Sequence, residues 1–129
     1  MILYKDESYS IVSACLEVHK TLGSGFLEAV YQKALEIEFA ERNISFKAEQ
    51  PINITYKGYV LNKDYFADFI CYDSIIIETK AVSKIIGAHK AQLLNYLKGT
   101  GLKLGIIVNF GEQSLKWERV TNILTGKSR

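Results

Sequence analysis

The chain has 129 residues, 48% of them hydrophobic, with one proline and a formal net charge of +2 at pH 7. This length and composition predict one folded domain over residues 1–129 and exclude a disordered or low-complexity chain. The sequence has no apolar stretch long enough to span a membrane and no basic-then-apolar signal pattern at its start, so we expect a soluble, cytoplasmic protein with no membrane partner.

Two helices are predicted in the first third of the chain. Apolar residues recur at helical spacing from about Ser8 to Leu22, and the glycines that follow should end this helix. A second helix is predicted from about Phe26 to Arg42. Cys15 in the first helix and Cys71 in a later strand lack metal-ligand spacing, and we interpret them as buried, reduced thiols.

Glu28 falls in the first turn of the second helix, and two interpretations of it remain open. An acid at this position is favoured by the helix dipole, which is the simpler explanation. Glu28 also precedes Tyr31 and Leu35 at helical spacing, which puts it toward the inward half of the turn. Tyr31 itself is most simply a half-buried aromatic residue whose hydroxyl finds a polar partner.

Three sequential strands are predicted in the middle of the chain, and together they form a meander. The first runs from Ile44 to Tyr56, with alternating apolar residues toward its end, and stops at Lys57-Gly58. The second runs from about Tyr59 to Tyr72, with an interruption expected near residues 62–64. The third runs from Ser74 to Ala81.

The last two of these strands carry charged residues within apolar runs. Glu78 and Lys80 are two residues apart and so project from one face of their strand. A two-residue turn would pair Asp68 with Thr79 and put Asp68 and Glu78 on opposite faces. A three-residue loop, or a bulge, would pair Asp68 with Glu78 and put all three charges on one face. We favour the second register because it gathers these charges at one point.

Two carboxylates held side by side repel each other, and a cation between them removes the repulsion. Oxygen ligands without a Cys/His cluster favour Mg²⁺ or Mn²⁺, ions that keep bound waters and bind phosphate oxygens. A lysine two residues from one ligand can orient a metal-activated water or neutralise charge on a phosphate. Asp68, Glu78 and Lys80 therefore predict a site for metal-assisted phosphodiester hydrolysis.

A third helix is predicted from about Gly87 to Lys98. One of its faces carries a polar stripe that is formed by His89, Gln92 and Tyr96. Such a stripe is usually exposed to solvent, but this one follows the third strand closely.

Two further strands complete the predicted order, which is α-α-β-β-β-α-β(-β), an α/β fold. Leu102–Phe110 is predicted to be a buried strand that joins the sheet parallel to a neighbour, because it follows a crossover helix. Residues 114–120 could add an edge strand. The tail from about Thr121 is expected to be frayed.

The charge is polarised along the chain although the net charge is small. No acidic residue occurs between Thr79 and Gly111, whereas residues 1–50 hold more acidic than basic side chains. The basic residues of the acid-free segment are Lys80, Lys84, Lys90, Lys98 and Lys103. A solvated lysine face would explain such a run, but its start at the predicted metal site favours a phosphate track.

Three motifs of the sequence resemble those of a known group of nucleases, and they occur along the chain in the order expected for that group. Asp68 followed by Glu78-Thr79-Lys80 resembles the D…(D/E)-x-K signature of the PD-(D/E)XK nuclease superfamily. The segment Gly25–Tyr31 resembles the motif that names the bacterial GxxExxY proteins, and Gln92–Tyr96 resembles the Q-x-x-x-Y motif of the RecB-like branch. The resemblance covers roughly residues 8–120.

This resemblance implies a restriction-endonuclease-like core, with a central mixed sheet flanked by helices. It implies a nuclease that depends on Mg²⁺ or Mn²⁺ and acts on nucleic acid, with DNA expected ahead of RNA. Asp68, Glu78 and Glu28 would bind the metal and act in catalysis together with Lys80. The expected substrate-binding residues are Gln92, Tyr96, His89, Tyr31, Lys84 and Lys90.

Two interpretations from other functional classes compete with the nuclease. A chain this short carries only the core, so a weakly active or inactive module that binds nucleic acid or a protein partner stays open. The third interpretation is a structural subunit whose charges form a buried ion-pair network. A homodimer would give so small a nuclease core two cutting centres, but the sequence identifies no interface.

Overall fold

Three helices form in the part of the chain that this computed structural model describes, residues 2–61 and 65–122. They are α1 (Lys5–Leu22), α2 (Glu28–Glu41) and α3 (Gly87–Thr100). The three predicted helices are thus confirmed, with ends shifted by a few residues. None of the three has the length and apolar content that a membrane span requires.

Five strands form one mixed sheet with the order β1-β4-β5-β6-β7. Their bounds are Phe46–Ile52 for β1, Tyr65–Cys71 for β4, Ile75–Lys80 for β5, Leu104–Asn109 for β6 and Lys116–Thr121 for β7. The pairs β1-β4, β4-β5 and β6-β7 are antiparallel, and β5-β6 is parallel, joined through α3. The predicted meander, the parallel strand after the crossover helix and the added edge strand are therefore confirmed.

The first strand ends earlier than the sequence suggested. The chain leaves the sheet after Ile52, and Thr55–Tyr56 (β2) pairs with Tyr59–Val60 (β3) in a separate two-stranded hairpin. The turn residues Lys57 and Gly58 have φ values of 49° and 84°, the left-handed conformation that a tight two-residue hairpin turn requires. This local pairing replaces the continuous strand that was expected to reach Tyr56.

Two sequence expectations fall wholly or partly outside the described residues. The interruption near residues 62–64 lies in the undescribed part of the chain. Of the tail that was expected to fray from about Thr121, residues 123–129 also lie there, while Thr121 itself is the last residue of β7.

The sheet lies between two apolar layers. The layer on one face contains α1 and α2, which pack against inward-facing residues of β4, β5 and β6, among them Phe69, Ile75 and Ile106. The layer on the other face contains α3, which packs against Ile76 and Ile107. Strands β5 and β6 are therefore buried on both faces, which explains their nearly continuous apolar sequence. The two cysteines are buried and free, as predicted.

Asn109, at the end of β6, fixes the segment that follows β5. Its buried side chain accepts a hydrogen bond from the Val82 N–H at 3.0 Å and donates one to the Val82 carbonyl oxygen at 2.9 Å. It also accepts the Gly111 N–H and donates to the Glu112 carboxylate. Because every one of these partners lies in a connecting segment, the Asn109 amide takes the place of regular pairing there.

The chain just before Val82 is held in a similar way. The Phe110 N–H donates to the carbonyl oxygen of Lys80 at 2.8 Å. Lys80 is the last residue of β5, and its backbone position therefore depends on the end of β6.

We expect Asn109→Ala to lower the free energy of unfolding by about 2 kcal/mol, because it leaves partly buried backbone groups of Val82 and Gly111 without partners. Urea unfolding measures this difference. Asn95→Ala, at an exposed position of α3, is the matched control and should change stability by less than about 0.5 kcal/mol. Equal effects of the two substitutions would contradict this role of Asn109.

Candidate active site

Strands β4 and β5 separate at Asp68 and Glu78, and we call this opening the fork. The two strands pair from Cys71–Ile75 to Phe69–Ile77, so a three-residue loop, Tyr72–Ser74, connects them. This is the register that the sequence analysis favoured, in which Asp68 lies opposite Glu78. The regular pairing ends one residue pair before that point.

Carboxylates take the place of backbone pairing at the fork. The Asp68 N–H donates to Oε2 of Glu78 at 2.9 Å. The Thr79 N–H donates to Oδ2 of Asp68 at 2.8 Å, and the Thr79 hydroxyl donates to the same oxygen at 2.9 Å. Each carboxylate therefore binds a backbone N–H of the opposite strand, which fixes both acids in place.

The backbone of β4 changes direction at Asp68. Ala67 and Phe69, which a regular strand would put on one face, pack in different layers: Ala67 with α3 and Phe69 with α1 and α2. On the neighbouring strand β1, Glu49 has a φ of 51°, and the pairs on either side of it are regular. The distortion is therefore local, and it turns the first half of β4 away from β5.

Helix α2 reaches the fork through Gln32. The Gln32 side-chain amide donates to the Thr79 hydroxyl oxygen at 3.0 Å and to Oε1 of Glu28 at 3.4 Å. A continuous chain of hydrogen bonds thus runs from Glu28 through Gln32 and Thr79 to Asp68, and the Asp68 N–H continues it to Glu78. The structure therefore brings Glu28 to the same site as the two acids of the strands.

The three carboxylates affect one another electrostatically. Glu78 is 8% exposed, and burial, followed by the negative charge of Asp68, raises its pKa to about 8; the hydrogen bond from the Asp68 N–H and the charge of Lys80 act in the opposite direction. Burial and then Asp68 also raise the pKa of Glu28, and Lys80 again opposes them. The groups of the site itself therefore do not fully stabilise the ionised form of Glu78 or of Glu28.

Lys80 is half-buried at the end of β5. Within the described part of the chain it forms no ion pair within 4.0 Å, yet its charge opposes the rise in the pKa of both Glu78 and Glu28. The ammonium group therefore lies near these carboxylates while its hydrogen-bond donors stay available to another group.

The chemistry of the donor set suits a hard divalent cation, because all three acids offer oxygen ligands. Among residues 2–61 and 65–122, Oδ1 of Asp68, Oε1 of Glu78 and Oε2 of Glu28 form no hydrogen bond. In the same residues, however, no three Asp, Glu, His or Cys side chains are already close enough to hold a metal ion. Binding through all three acids would require at least one side chain to move.

Helix α3 contributes Gln92 and Tyr96 to the other side of the fork. The Gln92 amide donates to the Tyr96 hydroxyl at 3.0 Å, and the rings of Tyr96 and Tyr65 lie 6.0 Å apart. Burial, and then the charge of Glu78, raises the pKa of Tyr96. The structure thus brings Tyr96 close to the acids, with Gln92 holding its hydroxyl.

His89 lies at the start of the same helix, where its Nδ1 accepts the Ile86 N–H at 3.1 Å. This bond satisfies a backbone donor at the helix terminus, as a cap does. A local structural role therefore accounts for one ring nitrogen of His89.

Tyr31, which the sequence analysis expected to contact substrate, lies in the apolar layer of α1 and α2. It is fully buried, its ring stacks on Phe110 at 4.6 Å, and its hydroxyl donates to the Gly23 carbonyl oxygen at 2.6 Å. The same hydroxyl accepts the Phe26 N–H at 3.2 Å. Tyr31 thus holds the loop that precedes Glu28, and these contacts give it a structural role.

The lysines of the acid-free segment differ in their surroundings. Lys84 is exposed in the segment after β5. Lys90 pairs with Glu118 of β7 at 3.2 Å, so part of its charge is already balanced. Lys98 and Lys103 are exposed.

Sequence reasoning missed Gln32 and Thr79 as members of the site. Gln32 follows Glu28 at the spacing that puts two helix residues on one face, and this was the available signal. Thr79 stands between two residues already selected, Glu78 and Lys80, but alternation along a strand directs it to the opposite face. A link between the two faces is visible only in three dimensions.

Comparisons with known proteins agree with this architecture. A family model described as the PD-(D/E)XK nuclease superfamily matches residues 5–120. The solved structure titled "Crystal structure of SSO0001" has a TM-score of 0.56 and 21% sequence identity, and the match covers 95% of this chain and 61% of that one. No curated protein matches the sequence.

The structural likeness shows the fold alone, since the identity is low, and the chain spans 61% of the length of that protein. The α/β architecture, with its mixed sheet between helices, is consistent with a restriction-endonuclease-like fold, as predicted. The family model matches nearly the whole sequence, including Glu28, Asp68, Glu78 and Lys80. The chain therefore belongs to the PD-(D/E)XK nuclease superfamily.

Proposed function

We propose that this chain is a metal-dependent nuclease that hydrolyses phosphodiester bonds, with DNA as the preferred substrate. The observation that carries the proposal is the fork, where Asp68 and Glu78 are fixed by backbone N–H groups beside the ammonium group of Lys80. Membership of the superfamily suggests a nuclease. The preference for DNA rests on the sequence resemblance.

The proposed metal ligands are Asp68 and Glu78, with Glu28 as a third. Nucleases of this superfamily generally use divalent metals, and the oxygen donors favour Mg²⁺ or Mn²⁺. Within the described residues, the hydrogen bonds of the fork leave one oxygen of each of its two acids available to an ion. A bound divalent ion would supply a water of lowered pKa and neutralise charge on the phosphate.

Lys80 is proposed to position the attacking water and to stabilise negative charge that develops on the phosphate. Its side chain forms no hydrogen bond with residues 2–61 or 65–122, and its backbone is held by Phe110. A group that is already oriented in a water-poor site stabilises such charge without reorganisation at the moment of reaction.

The remaining proposed roles follow from the Q-x-x-x-Y and GxxExxY motifs and from the exposed basic residues. The Q-x-x-x-Y pair, Gln92 and Tyr96, would contact the substrate next to the fork, which agrees with their hydrogen bond and with the position of Tyr96. We assign the chain to the RecB-like branch and to the GxxExxY proteins on these motifs. The phosphates of the nucleic-acid backbone would be held by exposed lysines, beginning with Lys84 before α3. Lys90 and the second ring nitrogen of His89 would contribute from the first turn of α3.

A binding module without efficient cleavage is the second candidate, and one observation favours it. In the described residues the acids do not already form a three-ligand metal cluster, and the raised pKa of Glu78 keeps a proton on this ligand near neutral pH. Such a chain would bind nucleic acid or a protein partner through the same surface.

Lys80→Met should lower the rate of cleavage by roughly two or three orders of magnitude, the scale for loss of one preorganised electrostatic group. The Met side chain keeps the apolar stem of lysine, so folding and metal binding should persist. Cleavage of labelled DNA and RNA with Mg²⁺ or Mn²⁺ measures the effect. Lys20→Met, at an exposed position of α1, is the matched control. If wild-type protein cuts none of these substrates, or Lys80→Met cuts equally well, the catalytic role is refuted.

Asp68→Asn should abolish both metal binding and cleavage. The amide oxygen can still accept the two hydrogen bonds from Thr79, but the charge that attracts a cation is lost. Calorimetric titration with Mn²⁺ measures the binding. Asp73→Asn, in the exposed loop between β4 and β5, should bind as the wild type does. Unchanged titration of Asp68→Asn would remove Asp68 from the ligand set.

The stability of the metal-free protein should fall as the pH rises from about 5 to about 9. Folding raises the pKa of Glu78 from 4.5 to about 8, so the folded state retains a proton that the unfolded state has lost. The stabilisation is complete below pH 4.5 and is lost as the pH passes through 8. Glu78→Gln stays neutral, and at pH 9 it should be more stable than the wild type by more than about 1 kcal/mol.

Thermal unfolding at several pH values tests this expectation, with Glu41→Gln at an exposed position as the control. At high pH, Mg²⁺ should raise the stability of the wild type but leave the stability of Glu78→Gln unchanged. A pH profile of Glu78→Gln parallel to that of the wild type would contradict the assignment of this titration to Glu78.

A further inference from the structure

A cavity of about 540 Å³ opens between the β2–β3 hairpin and α3. Its volume lies within the range of roughly 300 to 1,000 Å³ that is typical of small-ligand sites. The hairpin, β4 and α3 each contribute to its walls. The lining residues that bear chemical groups are Thr55, Tyr65, Gln92, Asn95, Tyr96 and Lys98.

The walls of this cavity are held together at Gly99. A Cβ atom at this position would lie 2.7 Å from Cδ1 of Ile54, closer than side chains allow. The absence of a side chain therefore lets the base of the hairpin pack directly against α3. Ile54 also joins the apolar layer around Leu97, so apolar packing joins the base of the hairpin to α3.

The lining suits a nucleotide better than a purely apolar ligand. Tyr65 and Tyr96 offer aromatic faces with ring centroids 6.0 Å apart, and a nucleobase stacks on such faces. The Asn95 side chain forms no hydrogen bond within the described residues, so its donor and acceptor groups are available for a base edge. Lys98 supplies a positive charge for a phosphate, and none of the described lining residues is acidic.

Tyr65 and Tyr96 relate the cavity to the fork. Tyr65 begins β4, three residues before Asp68, in the half of the strand that pairs with β1 and not with β5. Tyr96 lines the cavity and packs in the same apolar layer as Ala67, the neighbour of Asp68. The fork and the cavity therefore lie along neighbouring parts of β4, with Tyr96 of α3 next to both.

The hairpin itself presents two exposed tyrosines beside the cavity. Tyr56 and Tyr59 are directly paired and are 59% and 74% exposed. The ammonium group of Lys57 lies 5.3 Å from the centre of the Tyr56 ring. A two-stranded hairpin that exposes its aromatic side chains contributes little to the core, and these two rings lie outside the cavity lining.

We propose that this cavity binds an unpaired nucleotide next to the scissile phosphate, which makes single-stranded nucleic acid, or a single-stranded end of a duplex, the substrate. The identity of the ligand as nucleic acid rests on the proposed nuclease function. In an intact duplex the bases are stacked and paired, and reaching the cavity would require a base to leave the stack at a cost of a few kcal/mol. A single strand avoids this cost.

Fluorescence anisotropy tests the proposal with labelled oligothymidylate and with the duplex that it forms with oligoadenylate, in EDTA so that cleavage does not occur. Wild-type protein should bind the single strand at least about ten-fold more tightly. Tyr65→Ala should weaken that binding by about five-fold or more, the scale for loss of one stacked base, and Asn95→Ala should also weaken it. Tyr65→Phe keeps the ring and should retain binding.

Tyr9→Ala is the matched control, because Tyr9 is 76% exposed on α1, a helix of the opposite layer. Thermal unfolding of each variant shows that it is folded. The cavity proposal is overturned if wild-type protein binds neither probe, if the duplex binds as tightly as the single strand, or if Tyr65→Ala and Asn95→Ala bind like Tyr9→Ala.

Cleavage assays with Mg²⁺ and Mn²⁺ separate the two proposals. If wild-type protein cleaves duplex and single strand equally and Tyr65→Ala leaves both rates unchanged, the cavity proposal fails while the nuclease stands. If the single strand binds through the cavity but no substrate is cut, the cavity proposal is supported and the nuclease proposal fails.

Discussion

The exchange of backbone pairing for carboxylate pairing at the fork is the interaction on which the site depends. Two N–H groups, those of Asp68 and Thr79, lie where regular antiparallel pairing has stopped, and each is bound by a carboxylate of the opposite strand. A buried backbone donor without a partner is costly, so these acids stabilise the open sheet. The same bonds orient the acids, and the structural role and the proposed chemical role therefore require the same residues.

This arrangement has an electrostatic cost that the chain only partly offsets. Burial and mutual repulsion raise the pKa of Glu78 and of Glu28, and Lys80 is the nearby charge that opposes the shift. A site designed only for stability would replace such acids with neutral groups of similar shape. Their presence in a partly buried position is what a function that needs charge would require.

The sequence predicted the elements with strong periodicity and the local register, but not the contacts between layers. Helices α1, α2 and α3 and strands β5 and β6 were predicted because helical spacing and continuous apolar runs are decided locally. The alternation of Ile52, Ile54 and Tyr56 led to the prediction of one long strand. The structure instead has a separate hairpin around the Lys57-Gly58 turn. The sequence did not reveal the site contacts of Gln32 and Thr79 or the cavity beside α3. These features depend on which helix covers which face of the sheet.

The fork also explains how two helices on opposite faces of one sheet can act at one point. Gln32 of α2 reaches Thr79 from one layer, while Tyr96 of α3 lies near Glu78 from the other. A continuous ladder between β4 and β5 would separate these side chains by the thickness of the sheet. Because the ladder stops at Phe69–Ile77, the α2 side can contribute Glu28 to the proposed metal site while the α3 side borders the proposed nucleotide cavity. The opening between two strands thus divides the proposed metal site and the proposed nucleotide cavity between the two layers, with the same carboxylates next to both.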